Sequence, residues 1–229
     1  MNTHIITPTN SLTSSLAFYR SLNFQVLSEE NPTIVTDGRA IVEIHDGRFT
    51  RPGLKVSGTN MKPLAEQLGE LVPVIETNEG YLLQDPTGTS IYLTNQPTPN
   101  TSYKVETTFS LLGNFAGISL ETTDPNKTIA IWKLLGFSKQ SGTMDQGWVT
   151  LTNSDGLGVS IMKMNSCPHL FFNPSLTYFN GDNNLAVIEK VRRANIPITE
   201  EITHFNSEGV VDNIIIRDPG GFGFFVFND

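Results

Sequence analysis

The C-terminal stretch RDPGGFGFFVFND, at 217–229, decides the fold because the chain contains a second version of it. QDPTGTSIYLTN, at 84–95, repeats the Asp-Pro-x-Gly and the short apolar segment that follows. Proline fixes one backbone angle of a turn and glycine tolerates a positive one, so each copy predicts a turn that leads into a strand. In the middle of that strand, Tyr92 of one copy corresponds to Phe225 of the other.

Two further segments resemble each other and indicate that whole domains are repeated. SLAFYRSLNF (15–24) and TIAIWKLLGF (128–137) both place an aromatic residue and a leucine at helical spacing and end in a phenylalanine. Each segment precedes one of the Asp-Pro-x-Gly strands. The sequence therefore predicts two tandem domains, at 1–96 and 114–229, and a linker at 97–113 that begins with prolines and small polar residues.

Each domain is predicted to hold two βαβββ units, at about 1–50, 51–96, 114–166 and 173–229. In the first unit, Asn10 or Ser11 is a candidate helix cap, and Asp37-Gly38 is a hairpin signal between two β-rich segments. The third unit contains GISLETT, a helix, WVTLTN and GVSIMKM. This order predicts an α+β fold, in which each domain is a curved mixed sheet, or cup, with its helices outside.

The composition restricts the classes of function. A net charge of -8 and a pI near 5.0 argue against nucleic-acid binding, which uses a basic face to displace counterions. No apolar stretch is long enough to span a bilayer and the N-terminus lacks a signal-peptide pattern, so we expect a cytoplasmic protein without a membrane partner. The single cysteine, Cys167, excludes an internal disulfide.

The order of the units resembles that of the vicinal oxygen chelate superfamily, which includes glyoxalases, extradiol dioxygenases and bleomycin-resistance proteins. FYRSLNF, at 18–24, is similar to the family's Phe-Tyr-x-x-x-Leu-Gly-Phe, and DPTGTSIYL, at 85–93, is similar to its Asp-Pro-Asp-Gly-x-x-x-Glu-Leu. In metal-dependent members, the first strands of the units supply His or Gln ligands and the last strands supply Glu. The resemblance spans nearly the whole chain and implies a two-domain member.

On this resemblance, only the first unit keeps residues that can bind a metal. His4 lies on the first strand and Glu43 on the last, and His45 follows on the same face as Glu43. The second unit has Gly53, or a neighbour, in place of the second His, and Tyr92 in place of Glu. The corresponding positions of the second domain hold Gly117, Ile161 or its neighbour, Ser175 or Leu176, and Phe225. The resemblance therefore implies degenerate metal-ligand positions.

Two interpretations of the first domain stay open. His4, Glu43 and His45 can hold a divalent metal such as Zn, Ni, Fe or Mn, because two imidazoles and one carboxylate are a known ligand set. Alternatively the protein has no cofactor, and Glu43 and His45 pair with each other or with Arg39 or Arg51.

Tyr92 has two interpretations as well, since it can hydrogen-bond a ligand in the first cup or pack as a core aromatic residue. The candidate ligand-binding residues are Tyr92, His4, Glu43, His45 and Arg51. No catalytic residue is assigned from the sequence.

The second domain is predicted to be less polar. Phe225 belongs to a strand that is apolar on both faces, which predicts an apolar or partly closed second cup. Cys167 and His169 are predicted to lie in an apolar flap rather than to form a nucleophile pair, because no orienting group is visible. Asp85 and Asp218 are predicted to be turn residues.

The sequence favours a protein that binds a small organic molecule in the cup of the first domain or at the domain interface, without the usual metal centre. Such binding resembles that of the bleomycin-resistance members. The alternatives are a metal-dependent lyase, isomerase or dioxygenase that uses His4, Glu43 and His45, and a structural or partner-binding protein with filled cups. Because two fused domains can complete the pairing that single-domain relatives achieve as dimers, we expect a monomer or a homodimer.

Overall fold

The computed structural model describes residues 2–47, 50–96 and 108–228, which form two similar halves. The strands of the first half are β1 (Asn2–Pro8), β2 (Gln25–Ser28), β3 (Thr33–Thr36), β4 (Ile41–His45), β5 (Gly53–Ser57), β6 (Val74–Thr77), β7 (Gly80–Gln84) and β8 (Ser90–Thr94). The strands of the second half are β9 (Phe115–Thr122), β10 (Ser138–Thr143), β11 (Trp148–Thr152), β12 (Gly158–Lys163), β13 (Ser175–Phe179), β14 (Ile198–Ile202), β15 (Asn213–Arg217) and β16 (Gly223–Phe227). The helices are α1 (Leu12–Ser21), α2 (Lys62–Gly69), α3 (Pro125–Leu134) and α4 (Asn184–Arg193). None of the described helices is long and apolar enough to cross a membrane.

Each half forms one eight-stranded mixed sheet in which two units lie side by side, and the predicted α+β fold class is confirmed. The strand orders are β2-β3-β4-β1-β5-β8-β7-β6 and β10-β11-β12-β9-β13-β16-β15-β14. In the first sheet, β1 and β5 pair antiparallel at the centre, and each pairs in parallel with the last strand of its own unit, β4 or β8. The second sheet repeats this pattern with β12, β9, β13 and β16.

The two faces of each sheet have different surroundings. Ile5 of β1 and Leu54 of β5 lie in the apolar core, on the side of the helices. Because side chains alternate along a strand, their neighbours His4 and Lys55 lie on the opposite face. We call this opposite face of the first sheet the first cup, and the equivalent face of the second sheet the second cup.

Helices α1 and α3 begin at side chains that cap them. The Ser11 hydroxyl accepts a hydrogen bond from Ser14 N at 3.3 Å, and Asp124 Oδ1 accepts one from Lys127 N at 3.1 Å. Such bonds satisfy backbone donors that the first turn of a helix leaves unpaired. Of the two caps that the sequence offered for α1, the structure uses Ser11.

Strand β10 was not predicted by the sequence pattern. It is polar and largely exposed, and it lies at the edge of the second sheet, paired with β11. An edge strand of this kind buries little side-chain surface, so it carries no apolar alternation by which to recognise it. Its presence completes the third βαβββ unit.

The end of the predicted linker packs on the first half. Leu111 N donates to the carbonyl of Leu22 at 2.9 Å, and Phe109 N donates to that of Asp37 at 3.0 Å. Residues 97–107 of the linker lie outside the described residues. The boundaries at 96 and 114 stay a prediction, and the two sheets lie within them.

The repeated motifs of the sequence meet across the boundary between the halves. Tyr19, from FYRSLNF, donates its hydroxyl to Asp218 Oδ2 at 3.0 Å. Trp132, from IWKLLGF, donates its indole N–H to Asp85 Oδ2 at 2.9 Å. Both aspartates begin an Asp-Pro-x-Gly, so each of these turns is bound by a helix of the other half.

The second carboxylate oxygen of each aspartate serves its own turn, as the sequence predicted. Asp218 Oδ1 accepts from Phe222 N at 2.7 Å, and Asp85 Oδ1 accepts from Thr87 N at 2.9 Å. The two residues therefore combine the predicted turn role with a contact between the halves that the sequence pattern did not predict.

Asp37, which belongs to the predicted hairpin signal, also bonds both to its own loop and to the other half. Its Oδ1 accepts from Arg39 N at 2.8 Å and Ala40 N at 2.6 Å, which orders the loop between β3 and β4. Its Oδ2 accepts from the hydroxyl of Tyr178, on β13 of the other half, at 2.7 Å. Three buried aspartates thus join the halves through aromatic donors.

Burial governs the ionisation of this interface. It raises the pKa of Asp37, Asp85 and Asp218 above the usual range of a carboxyl group, even though hydrogen bonds to each act in the opposite direction. Burial, followed by the charge of the neighbouring aspartate, also raises the pKa of Tyr19 and Tyr178 well above its usual value. Both tyrosines therefore stay protonated and act as donors.

Candidate functional site

Strand pairing brings four side chains to the middle of the first cup. His4 is paired with Lys55 across β1 and β5, and Lys55 is paired with Tyr92 across β5 and β8. Glu43 lies on β4, which pairs with the other side of β1. Lys55 is therefore the residue that takes the position for which the sequence offered only Gly53 or a neighbour.

Glu43 is fully buried and contacts three basic side chains. His4 Nδ1 donates to Oε1 at 2.7 Å, and His45 Nε2 donates to Oε2 at 3.1 Å. The ammonium of Lys55 lies 3.0 Å from Oε2 and 3.3 Å from Oε1, so it contacts both carboxylate oxygens. The structure thus brings together the three residues that the sequence singled out, and it adds Lys55 to them.

These surroundings favour the charged form of Glu43. Burial alone raises the pKa of a carboxyl group, because the charge loses its hydration. Hydrogen bonds from His4 and His45 and the positive charge of Lys55 outweigh burial, and they hold the pKa of Glu43 far below its usual range. The carboxylate is therefore ionised at neutral pH and lies against a matching ammonium.

Tyr92 and Arg51 lie beside this cluster. The hydroxyl oxygen of the half-buried Tyr92 accepts a hydrogen bond from Arg51 N at 3.0 Å. A phenol can both donate and accept, so this bond leaves the hydroxyl proton for another acceptor. Arg51 is exposed, and its guanidinium donates to the carbonyl of Thr50 at 3.0 Å.

The first cup does not fit a divalent metal ion as it stands. A metal would need lone pairs from the carboxylate and the imidazoles. Both carboxylate oxygens of Glu43 already face Lys55, and the imidazole nitrogens on the side of the carboxylate, His4 Nδ1 and His45 Nε2, donate N–H groups to it rather than offering lone pairs to a shared ion. Within 2–47, 50–96 and 108–228, no group of three or more His, Cys, Asp or Glu side chains is arranged to hold a metal ion.

The corresponding positions of the second cup hold no strong metal ligand. Gly117 is paired with Thr177 across β9 and β13, and Thr177 is paired with Phe225 across β13 and β16. Ser160 of β12 is paired with Ser119 of β9. Glycine, phenylalanine and neutral hydroxyl groups do not form a divalent metal site, so the second cup does not fit a metal either.

At two of these positions the sequence left the register open between neighbouring residues. Ile161 and Leu176 are fully buried in the core on the helix side. Their neighbours Ser160 and Thr177 face the second cup. A shift of one residue moves a side chain to the other face of a strand, so the sequence included Ser160 as the neighbour of Ile161 but did not name Thr177.

The second cup contains a cavity of about 820 Å³. Four of the strand residues that line it carry hydroxyl groups that are hydrogen-bonded in pairs. Ser119 is bonded to Thr177 at 2.6 Å, and Thr150 is bonded to Ser160 at 3.0 Å. The apolar side chains that line it are those of Trp148, Met162, Pro168, Phe171, Phe179, Phe205, Phe225 and Phe227. The described residues around the cavity include no Lys, Arg, Asp or Glu. The lining is therefore mixed, without a carboxylate, ammonium or guanidinium among the described residues, and the cup is open enough to hold a molecule.

The segment 164–174, between β12 and β13, covers part of this cavity. Cys167, His169 and Phe171 all line it, as expected of the predicted flap. Glu121 accepts from Cys167 N at 3.0 Å and so holds the segment to β9. Burial, followed by the charge of Glu121, raises the pKa of Cys167 to about 12, so the thiol stays protonated and is not a nucleophile. The ring of His169 lies edge-on to that of Phe225, with centroids 5.3 Å apart.

Sequence comparisons find no relative, since no family profile and no curated protein matches the chain. Solved structures do match. A variant of homoprotocatechuate 2,3-dioxygenase from Brevibacterium fuscum superposes with a TM-score of 0.57 at 13% identity, covering 99% of this chain and 70% of that one. Catechol 2,3-dioxygenase superposes with a TM-score of 0.56 at 16% identity, covering 97% of this chain and 85% of that one. The 2,3-dioxygenase LapB from Pseudomonas sp. KL28 superposes with a TM-score of 0.54 at 13% identity, covering 97% of this chain and 89% of that one.

These identities are low, so the likeness concerns the fold alone. Both halves of the chain are covered in each comparison, which extends the likeness to the tandem arrangement. The chain therefore has the two-domain fold of the extradiol catechol dioxygenases.

Proposed function

We propose that this protein binds a small, uncharged organic molecule in the cavity of the second cup, without a metal ion. The observation that carries the proposal is the cavity itself, about 820 Å³ in volume, with hydroxyl groups on its strands and aromatic rings around it. Small-molecule sites typically measure roughly 300–1,000 Å³. A cavity of this size also argues against the alternative in which both cups are filled.

The second cup is favoured over the two places that the sequence suggested. In the first cup, the charged side chains of Glu43 and Lys55 are bound to each other. At the boundary between the halves, Tyr19 is bonded to the buried Asp218 and packs in an apolar core that both halves share. The second cup combines a lined cavity with exposed side chains at its edge, since Trp148 and Phe205 both line it and reach solvent.

The chemistry of the lining indicates the chemistry of the ligand. A charged ligand would lose hydration without meeting an opposite charge among the described lining residues. Aromatic side chains such as Phe225 and Phe227 offer faces and edges for a flat apolar molecule. The hydroxyl groups of Thr177 and Ser160, which are bonded to those of Ser119 and Thr150, can exchange these bonds for bonds to a ligand hydroxyl or carbonyl. We therefore expect an uncharged ring with one or two polar substituents.

Tryptophan fluorescence provides a direct test. Trp148 lines the cavity, whereas Trp132 is fully buried and bound to Asp85. We expect uncharged phenols to quench Trp148 and to bind stoichiometrically by calorimetry. Their carboxylated analogues should bind about 100-fold more weakly, because burial leaves their charge unpaired. The variant Trp148→Phe should lose the signal and keep the calorimetric binding.

Two variants locate the site. Ser160→Phe places a ring in the cavity and should abolish binding, and Thr177→Val should weaken phenol binding by about tenfold through loss of a hydrogen bond. Tyr92→Phe, in the first cup, is the matched control and should leave binding unchanged. Binding that survives Ser160→Phe, or no binding of any uncharged probe, contradicts the proposal.

A second candidate is a metal-dependent enzyme in the first cup, a lyase, isomerase or dioxygenase. The meeting of His4, Glu43 and His45 favours it, and the position of Lys55 argues against it. Metal analysis of protein purified without a histidine tag separates the two candidates. A stoichiometric divalent ion that is lost in His4→Ala and in Glu43→Ala supports the enzyme and contradicts metal-free binding.

A further inference from the structure

We infer that the second cup selects an uncharged molecule with hydrogen-bond acceptors, such as carbonyl or ether oxygens, at two points at least one strand spacing apart. This inference rests on the proposed function and names the class of its ligand. The observation that carries it is a row of hydroxyl groups across the strands that line the cavity, whose protons are only partly used by the described residues.

Strand pairing places the hydroxyl groups in a row. Ser141 of β10 is paired with Thr150 of β11, and Thr150 is paired with Ser160 of β12. Ser160 is paired in turn with Ser119 of β9, and the next strand, β13, contributes Thr177. All five residues line the cavity. Because neighbouring strands lie roughly 4.8 Å apart, this hydroxyl row crosses five strands and presents its oxygen atoms at intervals across the cup.

The number of protons in the row exceeds the number of bonds. Two hydroxyl groups carry two protons, and the bond within each pair, Ser119 with Thr177 or Thr150 with Ser160, uses one of them. Among the described residues, no acceptor is bonded to the second proton of either pair. Ser119 and Thr177 are only 6% and 3% exposed, so their pair is shielded from bulk solvent. A buried donor without an acceptor is costly, so each pair favours an acceptor on the ligand.

The two pairs are separate binding points. Their inner members, Ser160 and Ser119, lie on neighbouring strands, and no hydrogen bond joins these two hydroxyl groups. A ligand with one acceptor can therefore satisfy one pair, whereas two acceptors held apart by a ring can satisfy both. Phe225, paired with Thr177 on the far side of β13, ends the row with an aromatic ring. The ligand that fits is an aromatic or other flat ring with acceptors on opposite sides.

Isomeric probes without donor groups test this selection. The oxygens of 1,4-dimethoxybenzene lie on opposite sides of the ring, those of 1,2-dimethoxybenzene are adjacent, and 4-ethylanisole has only one. All three are uncharged and similar in size. By calorimetry, we expect 1,4-dimethoxybenzene to bind about tenfold more tightly than either of the others, because it alone reaches both pairs.

Deletion of each hydroxyl pair locates the two points. Thr150→Val with Ser160→Ala removes one pair, and Ser119→Ala with Thr177→Val removes the other. Each deletion should weaken binding of 1,4-dimethoxybenzene by about tenfold, and the two together by about 100-fold, because the two bonds are independent. For 4-ethylanisole, the combined variant should cost no more than the costlier single deletion. Its remaining binding shows that the variants keep a folded cavity.

A hydroxyl pair outside the cavity provides the matched control. Thr9 and Ser15, in the first half, are buried and bonded at 2.7 Å, and Thr9→Val with Ser15→Ala should leave all three affinities unchanged. Equal affinities of the two dimethoxybenzenes for the wild type, or pair deletions without effect on 1,4-dimethoxybenzene, would overturn the inference and leave the proposed function intact. If no uncharged probe binds the wild type, the proposed function fails and the inference fails with it.

Discussion

Glu43 and Asp218 are both buried carboxyl groups, yet their surroundings shift their ionisation in opposite directions. Glu43 lies among His4, His45 and Lys55, which hold its pKa far below the usual range. Asp218 receives hydrogen bonds from neutral donors, including Tyr19, and burial raises its pKa. The difference is the presence of a full positive charge beside only one of them. The direction in which the pKa of a buried carboxyl group shifts therefore depends more on the charge of its partners than on their number.

The two residues should accordingly give opposite dependences of stability on pH. Because the pKa of Glu43 is lowered on folding, its contribution to the free energy of unfolding is present above the unfolded pKa of about 4.3 and is lost as pH falls through the folded pKa. Because the pKa of Asp218 is raised, its contribution is present below about 3.9 and is lost as pH rises through the folded pKa.

Urea unfolding of the wild type and two variants between pH 3 and pH 7 measures how each carboxyl group changes the free energy of unfolding with pH. The stability difference between the wild type and Glu43→Gln should grow as pH rises. The difference between the wild type and Asp218→Asn should shrink over the same range. Slopes of the same sign for both variants would show that the surroundings of one carboxylate differ from those described.

At the scale of elements, the parallel pairing of β5 with β8 requires a very close backbone approach. Gly53 begins β5 and is paired with Ser90, the first residue of β8. A Cβ atom on Gly53 would lie 1.9 Å from the carbonyl oxygen of Ser90. Since that oxygen belongs to the backbone, the clash cannot be relieved by rotation of a side chain. Gly53, which the sequence suggested as a lost ligand position, therefore allows the close approach of these two strands.

Gly53→Ala should therefore be severely destabilising, by about 3 kcal/mol, because it forces β5 and β8 apart. Gly69→Ala is the matched control, since no atom lies within 4 Å of a Cβ atom built at Gly69 at the end of α2. The control should be neutral or more stable by about 0.5–1 kcal/mol, because alanine favours helix. Chemical unfolding of both variants measures the difference. Equal stabilities would contradict the close approach of β5 and β8.

At the scale of the whole molecule, the two halves share one apolar core. Buried residues of both sheets, such as Val42 and Leu120, belong to the same cluster. The buried aspartates Asp37, Asp85 and Asp218 add polar bonds from one half to the other. Separation of the halves would expose this apolar surface and leave the buried carboxylates without their aromatic donors. The halves are therefore expected to be one cooperative unit despite their separate sheets.

Equilibrium unfolding in urea should consequently show one transition. Fluorescence of Trp132, which is buried at the boundary and bound to Asp85, should change at the same midpoint as the circular dichroism of the sheets. Measurement in the Trp148→Phe variant isolates the signal of Trp132. Two transitions, with the fluorescence change preceding the loss of secondary structure, would show that the halves unfold independently.

Much of the fold followed from local sequence signals. The duplicated Asp-Pro-x-Gly strands and the two similar helices predicted tandem domains, because turn geometry and helical periodicity depend on residues close together in the chain. Strand β10 could not be predicted, since an exposed edge strand needs no apolar pattern. On β12 and β13 the sequence did not fix which residues face the cup, because a shift of one position reverses the face, and the structure places Ser160 and Thr177 there.

The sequence by itself determined the class of fold and the three residues His4, Glu43 and His45 that meet in the first cup. The tertiary structure alone decided that Lys55 joins them, that the second cup contains a cavity, and that the repeated aspartates bind aromatic donors of the opposite half. The reason is physical. A motif fixes the local backbone conformation, but which side chain lies opposite another depends on strand register and on packing between residues that are far apart in the chain.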